Sequence, residues 1–179
     1  MRNNMFKNVV LETERLILRN FTYEDKNRFF TITRDPKLYE TLPEDHMYSI
    51  DEISDIIDWF INQYENNSLE NIPKFPLAII LKEDNKLIGD IGIGYYSNDK
   101  SKMEIFYFIN SEFWNKGYVS EAVHVFLKYV KENKLVSSLI GAVVSHNIAS
   151  IKILIKNGFK KIDYKDSHNR NVYELKVIK

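Results

Sequence analysis

Eight consecutive residues, Trp114-Asn115-Lys116-Gly117-Tyr118-Val119-Ser120-Glu121, hold the strongest chemical signal in the chain. They lie between an apolar run and an amphipathic pattern, where a strand ends and a helix begins. A helix N-terminus offers unpaired N–H groups and the positive end of its dipole. Gly117 lets a ligand approach the backbone, Ser120 adds a hydroxyl and Lys116 adds a charge. Phosphate or pyrophosphate suits that geometry, although a glycine before a helix also marks an ordinary turn. Just upstream, Glu104 is a lone acid in the otherwise apolar run Met103 to Ile109.

Other motifs fall away. Gly89-Asp90-Ile91-Gly92-Ile93-Gly94 lacks the order of the dinucleotide fingerprint and lies in a strand, where glycines mark a bulge or a close backbone approach. Lys116-Gly117 is reversed relative to a P-loop. His46, His124, His146 and His168 show no metal-ligand spacing, so no metal is expected. His124 falls on a polar helix side, and His146 near a strand end is open to a structural or a ligand-contact role. No G-x-S-x-G elbow supports a serine triad. The absence of cysteine excludes disulfides, thiolate metal sites and a thiol nucleophile.

The elements that position these residues are readable from periodicity. Leu11 to Phe21 reads as a strand. Thr22 caps a helix carrying Phe29, Phe30 and Ile32, which should stop at Asp35-Pro36. Ser49-Ile50-Asp51-Glu52 has capping-box spacing, and Ile53, Ile56, Ile57, Phe60, Ile61 and Tyr64 form one buried stripe behind it. Asp51, Glu52, Asp55 and Asp58 lie opposite, as a solvated face or as a rim for a cationic substrate. After the polar loop Asn66 to Pro73, strands are expected at Phe75 to Lys82, Leu87 to Tyr95 and Lys102 to Ile109. Val119, Ala122, Val123, Phe126, Leu127 and Val130 mark the helix behind the loop. A strand at Ser138 to Ser145, a helix at Ile148 to Lys156 stopped by Asn157-Gly158, and strands at Phe159 to Tyr164 and Asn171 to Ile178 complete the order.

Residues 1–10 read as an N-terminal extension and 11–179 as a single domain. Lys+Arg and Asp+Glu both number 25, so nothing resembles the basic stripe of a nucleic-acid binder. The apolar run Phe75 to Leu81 is far shorter than the ~20 residues that span a bilayer. The polar start has no signal-peptide core, and a cytoplasmic protein without membrane partners is expected.

Several motifs in order carry a family resemblance. Leu11-Glu12-Thr13-Glu14-Arg15-Leu16-Ile17-Leu18-Arg19, Leu87-Ile88-Gly89-Asp90-Ile91-Gly92, Tyr107 through Glu121, and Asn147-Ile148-Ala149-Ser150 with Asn157-Gly158-Phe159 span nearly the whole chain. From Leu11 to about Lys176 the chain resembles the GNAT N-acetyltransferases, most of all the branch that includes RimJ and RimL. The resemblance implies an α/β (α+β mixed) fold with a central mixed, mostly antiparallel sheet of about seven strands and about four helices. In the family's coenzyme motif, Asn115 stands where the branch commonly has Gly, and Val119 where it has Gly or Ala. Asn tolerates unusual backbone angles, and Val119 also begins the buried stripe, so coenzyme binding is expected to persist.

The same resemblance implies direct transfer of acetyl from acetyl-CoA, as co-substrate, to an amine. The amine belongs to a protein N-terminus, a small amine, an antibiotic or a polyamine; a coenzyme-binding module with little turnover is a further reading. Coenzyme contacts are expected from Phe108, Ile109, Asn115, Lys116, Gly117, Tyr118, Val119, Ser120 and Asn147. Backbone N–H groups near Phe108 and Ile109 would face the carbonyl oxygen as it gains charge. Glu104 would be the base, its pKa raised by burial, or else one half of a structural ion pair. Leu154 occupies the position where many relatives have a tyrosine, so Ser150 would protonate the leaving thiolate, unless it only bonds backbone. Asn147 would hold the pantetheine arm or cap its helix. Monomer and homodimer remain equally open.

Overall fold

The computed structural model describes residues 4–40 and 48–177. His46 and Ile178 lie outside them. Among the described residues eight strands form one sheet in the order β1-β2-β3-β4-β5-β6-β8-β7. The strands are β1 Val10–Glu12, β2 Leu16–Arg19, β3 Lys74–Leu81, β4 Lys86–Tyr96, β5 Asp99–Ile109, β6 Ser138–Val143, β7 Lys160–Lys165 and β8 Asn171–Lys176. The helices are α1 Lys26–Thr33, α2 Ile50–Asn66, α3 Tyr118–Glu132 and α4 Ile148–Lys156.

The run Leu11 to Phe21, expected as one strand, is two. At Thr13 the chain doubles back: its N–H reaches the Leu16 carbonyl at 3.0 Å, and β1 pairs antiparallel with β2. The polar residues Thr13, Glu14 and Arg15 favour a turn over a continuous strand. Ahead of this hairpin, Phe6 and Val9 pack into the core.

Helix α2 shows how its sequence dictates its position. The Ser49 hydroxyl accepts the Glu52 N–H and the Glu52 carboxylate accepts the Ser49 N–H, which fixes the start. Ile53, Ile57, Phe60 and Tyr64 are buried against the sheet. The Tyr64 hydroxyl donates to the Pro76 carbonyl at 2.8 Å and accepts the Phe21 N–H at 3.0 Å, stitching α2 to β3 and to the chain after β2. Helix α1 stops at Thr33, ahead of Asp35-Pro36. Along α3, Ala122, Val123, Phe126, Leu127 and Val130 are buried and His124 is exposed. Among the described residues no helix is long and apolar enough to cross a membrane.

Strand β4 is paired on both sides, with β3 and β5. At Gly89 the close approach is direct: a Cβ there would collide with the Phe108 carbonyl oxygen and lie 2.7 Å from the Ile109 Cα. The glycine therefore lets β5 lie tight across β4 where β5 ends.

Candidate active site

The one parallel pairing in the sheet is also its weakest. β5 and β6 meet at a single register pair, Glu104 with Ile140, and part beyond it. A cavity of about 460 Å³ opens in that gap. Glu104 and Arg170 lie at one end, Asn115 and Gly117 at the other, with α4 contributing Ser150 and Leu154.

Backbone alternation decides what β5 presents to this cavity. The Asn110 N–H reaches the Ile88 carbonyl at 2.8 Å, on the β4 side. N–H groups alternate sides along a strand, so Tyr107 and Ile109 turn theirs toward the gap. Phe108 turns its N–H toward β4 and Asp90, and gives the cavity only its side chain, which stacks on Phe29 at 6.0 Å. The Trp114 indole donates to the Ile109 carbonyl at 2.9 Å and pins the backbone there.

At the far end the loop is shaped by two left-handed residues, Asn115 at φ 62° and Gly117 at φ 81°. Asn is the non-glycine residue that adopts this region most readily, so the substitution for glycine at 115 preserves the turn. The first turn of α3 then leaves N–H groups of Tyr118, Val119 and Ser120 without intrahelical partners, facing the cavity these residues line. Val119 is half-buried against the core. Lys116 stands outside the lining; its ammonium lies 5.3 Å from the centre of the Phe113 ring.

The loop is braced from behind by Arg15. Its guanidinium bonds Glu121 at 2.8 Å and 2.6 Å, donates to the Lys116 carbonyl at 3.0 Å, and stacks 4.6 Å from the centre of the Tyr118 ring. Burial alone would raise the Glu121 carboxyl. Hydrogen bonds from Thr13 and from Arg15 outweigh it and hold that carboxyl below its ordinary range.

On α4, Asn147 caps the helix, its side-chain oxygen accepting the Ser150 N–H at 3.1 Å. Ser150 lines the cavity, with its hydroxyl beside the Tyr107 phenol. Tyr107, from β5, points its hydroxyl at the Ser150 carbonyl, 3.5 Å away, and burial pushes that phenol up to about 12.

Glu104 is part of a buried chain of charges. Arg170, 8% exposed, donates from Nη1 to Glu104 at 3.1 Å and from Nε to Asp166 at 2.6 Å. Burial raises the Glu104 pKa; Arg170 and Lys74 pull it down, Asp166 pushes it up, and the net direction is upward. Asp166 also accepts the backbone N–H groups of Arg170 and His168, at 2.9 and 3.0 Å. Those bonds and the guanidinium outweigh burial and hold Asp166 below the ordinary aspartate range.

His168 itself is exposed in that turn, and His146 bonds the Glu40 carbonyl at 2.7 Å, tying the loop after β6 to the turn after α1. Arg15, Arg170, Asp166 and Tyr107 were not singled out by spacing. Arg15 and Tyr107 stand inside motifs that carry the family resemblance, and the i, i+4 spacing of Asp166 and Arg170 is the local trace of the other two.

Asp90 is a second buried acid, 3% exposed on β4, with Oδ1 unpartnered among the described residues. Burial pushes it up to about 7, against the pull of Lys74 and of the Phe108 N–H. A carboxyl raised on folding contributes stability that is complete below its unfolded pKa of about 4 and is lost as pH rises through about 7. Asp90→Asn should therefore gain stability relative to the parent as pH rises over that window, with no further change above it. Urea unfolding at a series of pH values measures the difference; a pH-independent gap would contradict the assignment.

A parted sheet with backbone donors on one lip, a helix start with free N–H groups and a buried acid together form the cleft of an acyltransferase. Residues 15–160 match the family described as Acetyltransferase (GNAT) domain, and the chain belongs to it. The family's acetyl donor is acetyl-CoA. The chain is 31% identical over 153 residues to the uncharacterized N-acetyltransferase YoaA of Bacillus subtilis, covering 85% of this chain and 83% of that one. Its fold matches RimL, a ribosomal L7/L12 alpha-N-protein acetyltransferase solved with coenzyme A, at a TM-score of 0.78 and 15% identity, over 94% of this chain and 98% of that one. The ribosomal-protein-S5-alanine acetyltransferase of Vibrio fischeri matches at 0.77 and 17% identity, over 94% and 96%.

Proposed function

We propose that this acetyltransferase moves acetyl from acetyl-CoA directly to a primary amine, on a protein N-terminus or a small molecule, within a ternary complex. The observation that carries the reading is Glu104 in the cavity wall, with its pKa raised, on the strand that presents the Ile109 N–H to the same cavity.

Acetyl-CoA supplies the activated carbonyl; the remaining work belongs to the chain. The α3 N-terminus and the turn from Asn115 to Gly117 hold the pyrophosphate, and the cavity between Tyr107 and Asn147 takes the pantetheine arm. The Ile109 N–H donates to the carbonyl oxygen as it gains charge. Glu104, ionised, takes the ammonium proton directly or through a water, and Ser150 protonates the departing sulfur. Arg170 and Lys74 place positive charge around Glu104.

Thiol release in the presence of acetyl-CoA across a panel of N-terminal peptides, monoamines and polyamines tests the reading. Coenzyme binding without thiol release for any acceptor would overturn it. Ser150→Ala should lower kcat by roughly 10²-fold, the low end of what a positioned acid contributes, with the KM for acetyl-CoA unchanged. Full activity in that variant would transfer the role to the neighbouring Tyr107 hydroxyl.

A further inference from the structure

We infer that Asp166 is a positioning residue that sets the basicity of Glu104 by claiming the charge of the arginine the two carboxylates share. The inference rests on the reading of Glu104 as the base, and concerns a residue that lies outside the cavity lining.

The geometry is unequal by construction. Arg170 gives Asp166 its Nε–H at 2.6 Å and Glu104 an Nη1–H at 3.1 Å. Asp166 is also fixed by the N–H groups of His168 and Arg170 in its own turn, and sits 3.3 Å from the Tyr96 hydroxyl. Its carboxylate is thus held ionised by four donors and cannot release the guanidinium. A guanidinium shared between two buried carboxylates gives each less than a dedicated one would, and the Lys74 charge offsets only part of the burial of Glu104, whose net direction stays upward. The deficit falls on Glu104, the more loosely held of the two, and a carboxylate left short of compensation is the better base.

The charged and titratable groups around Glu104 are few. Arg170 and Asp166 approach from the turn before β8, and Lys74 from β3. Tyr96 from β4 and Tyr164 from β7 stand behind Asp166, their hydroxyls 3.4 Å apart. Burial drives the Tyr96 phenol well above its ordinary range, so it stays neutral and acts as a dipole. Exposed His168 meets Asp166 through its backbone N–H.

Asp166→Asn removes the competing charge, and Arg170 then serves Glu104 alone. The Glu104 titration midpoint, read by carboxyl carbon NMR, should fall by about one pH unit. The acid limb of kcat should move down with it, and kcat on the plateau should drop roughly threefold, as the base weakens. The KM for acetyl-CoA should not change. Arg170→Gln removes the shared cation and should move the midpoint the opposite way, upward, which supplies a second reading independent of the first variant.

An unmoved NMR midpoint in Asp166→Asn, or a downward shift in Arg170→Gln, overturns the inference. A midpoint that moves as stated while the kcat limb stays in place, or a limb that survives in Glu104→Gln, upholds the charge coupling and overturns Glu104 as the base. A limb that vanishes in Glu104→Gln and shifts in Asp166→Asn supports both.

Discussion

Glu104→Gln should retain the fold and the KM for acetyl-CoA while losing on the order of 10²–10⁴ in kcat, the usual contribution of a positioned general base. The substitution is close to isosteric. The amide oxygen can still accept the Arg170 Nη1–H, so the network from β5 to the β7–β8 turn keeps its form. What disappears is the ability to take a proton. The sign of the pH dependence follows: the carboxylate is the active form, so the parent loses rate as pH falls through the raised Glu104 pKa. The variant should show no such limb. Steady-state kinetics across pH, with thermal unfolding to verify the fold, measures both. A variant with parental kcat would leave Glu104 as half of a structural ion pair.

Gly89→Ala should damage stability and turnover together. The added Cβ would meet the Phe108 carbonyl oxygen and lie 2.7 Å from both the Cα and Cγ2 of Ile109. Two of these atoms are backbone, so no rotamer change relieves the clash and β5 must shift. Overpacking of this kind costs about 1–3 kcal/mol, and each kcal/mol lowers Tm by roughly 2–4 °C in a domain of this size. The displaced residue carries the N–H assigned to the carbonyl oxygen. A misplacement of about 1 Å in such a group can cost ~10²-fold in rate. Calorimetry and kcat report the two effects separately. Parental kcat in a folded variant would show that Ile109 does not act at the carbonyl.

The two effects differ in how visible their causes were in the sequence. Gly89 stood out within a strand-like run, and the glycine already implied a bulge or a close approach. Helices α2 and α3 were legible because one stripe at helical period and one cap determine each of them. The turn at 115–117 was legible because Asn and Gly are the residues that tolerate left-handed backbone. By contrast, the partner of Glu104 was silent. Arg170 lies 66 residues away in a stretch that reads as a polar turn, and only the order of strands across the sheet brings the two together. Arg15 and Glu121, 106 residues apart, were likewise each plausible as surface charges. The hairpin at Thr13 was missed because its two short strands share one apolar alternation, and the turn between them has neither Gly nor Pro.

The parting of β5 from β6 gives the protein an unfinished strand edge inside its own sheet. At the rim of a sheet, a row of unpaired N–H and C=O groups invites other chains to add on, and proteins guard against it with charge, proline or short strands. Here the row at Tyr107 and Ile109 faces a cavity of about 460 Å³ lined by residues of β5, β6 and α4, so the edge lies inside the fold and away from the rim of the sheet. An edge placed there meets whatever occupies the cavity before it meets another chain.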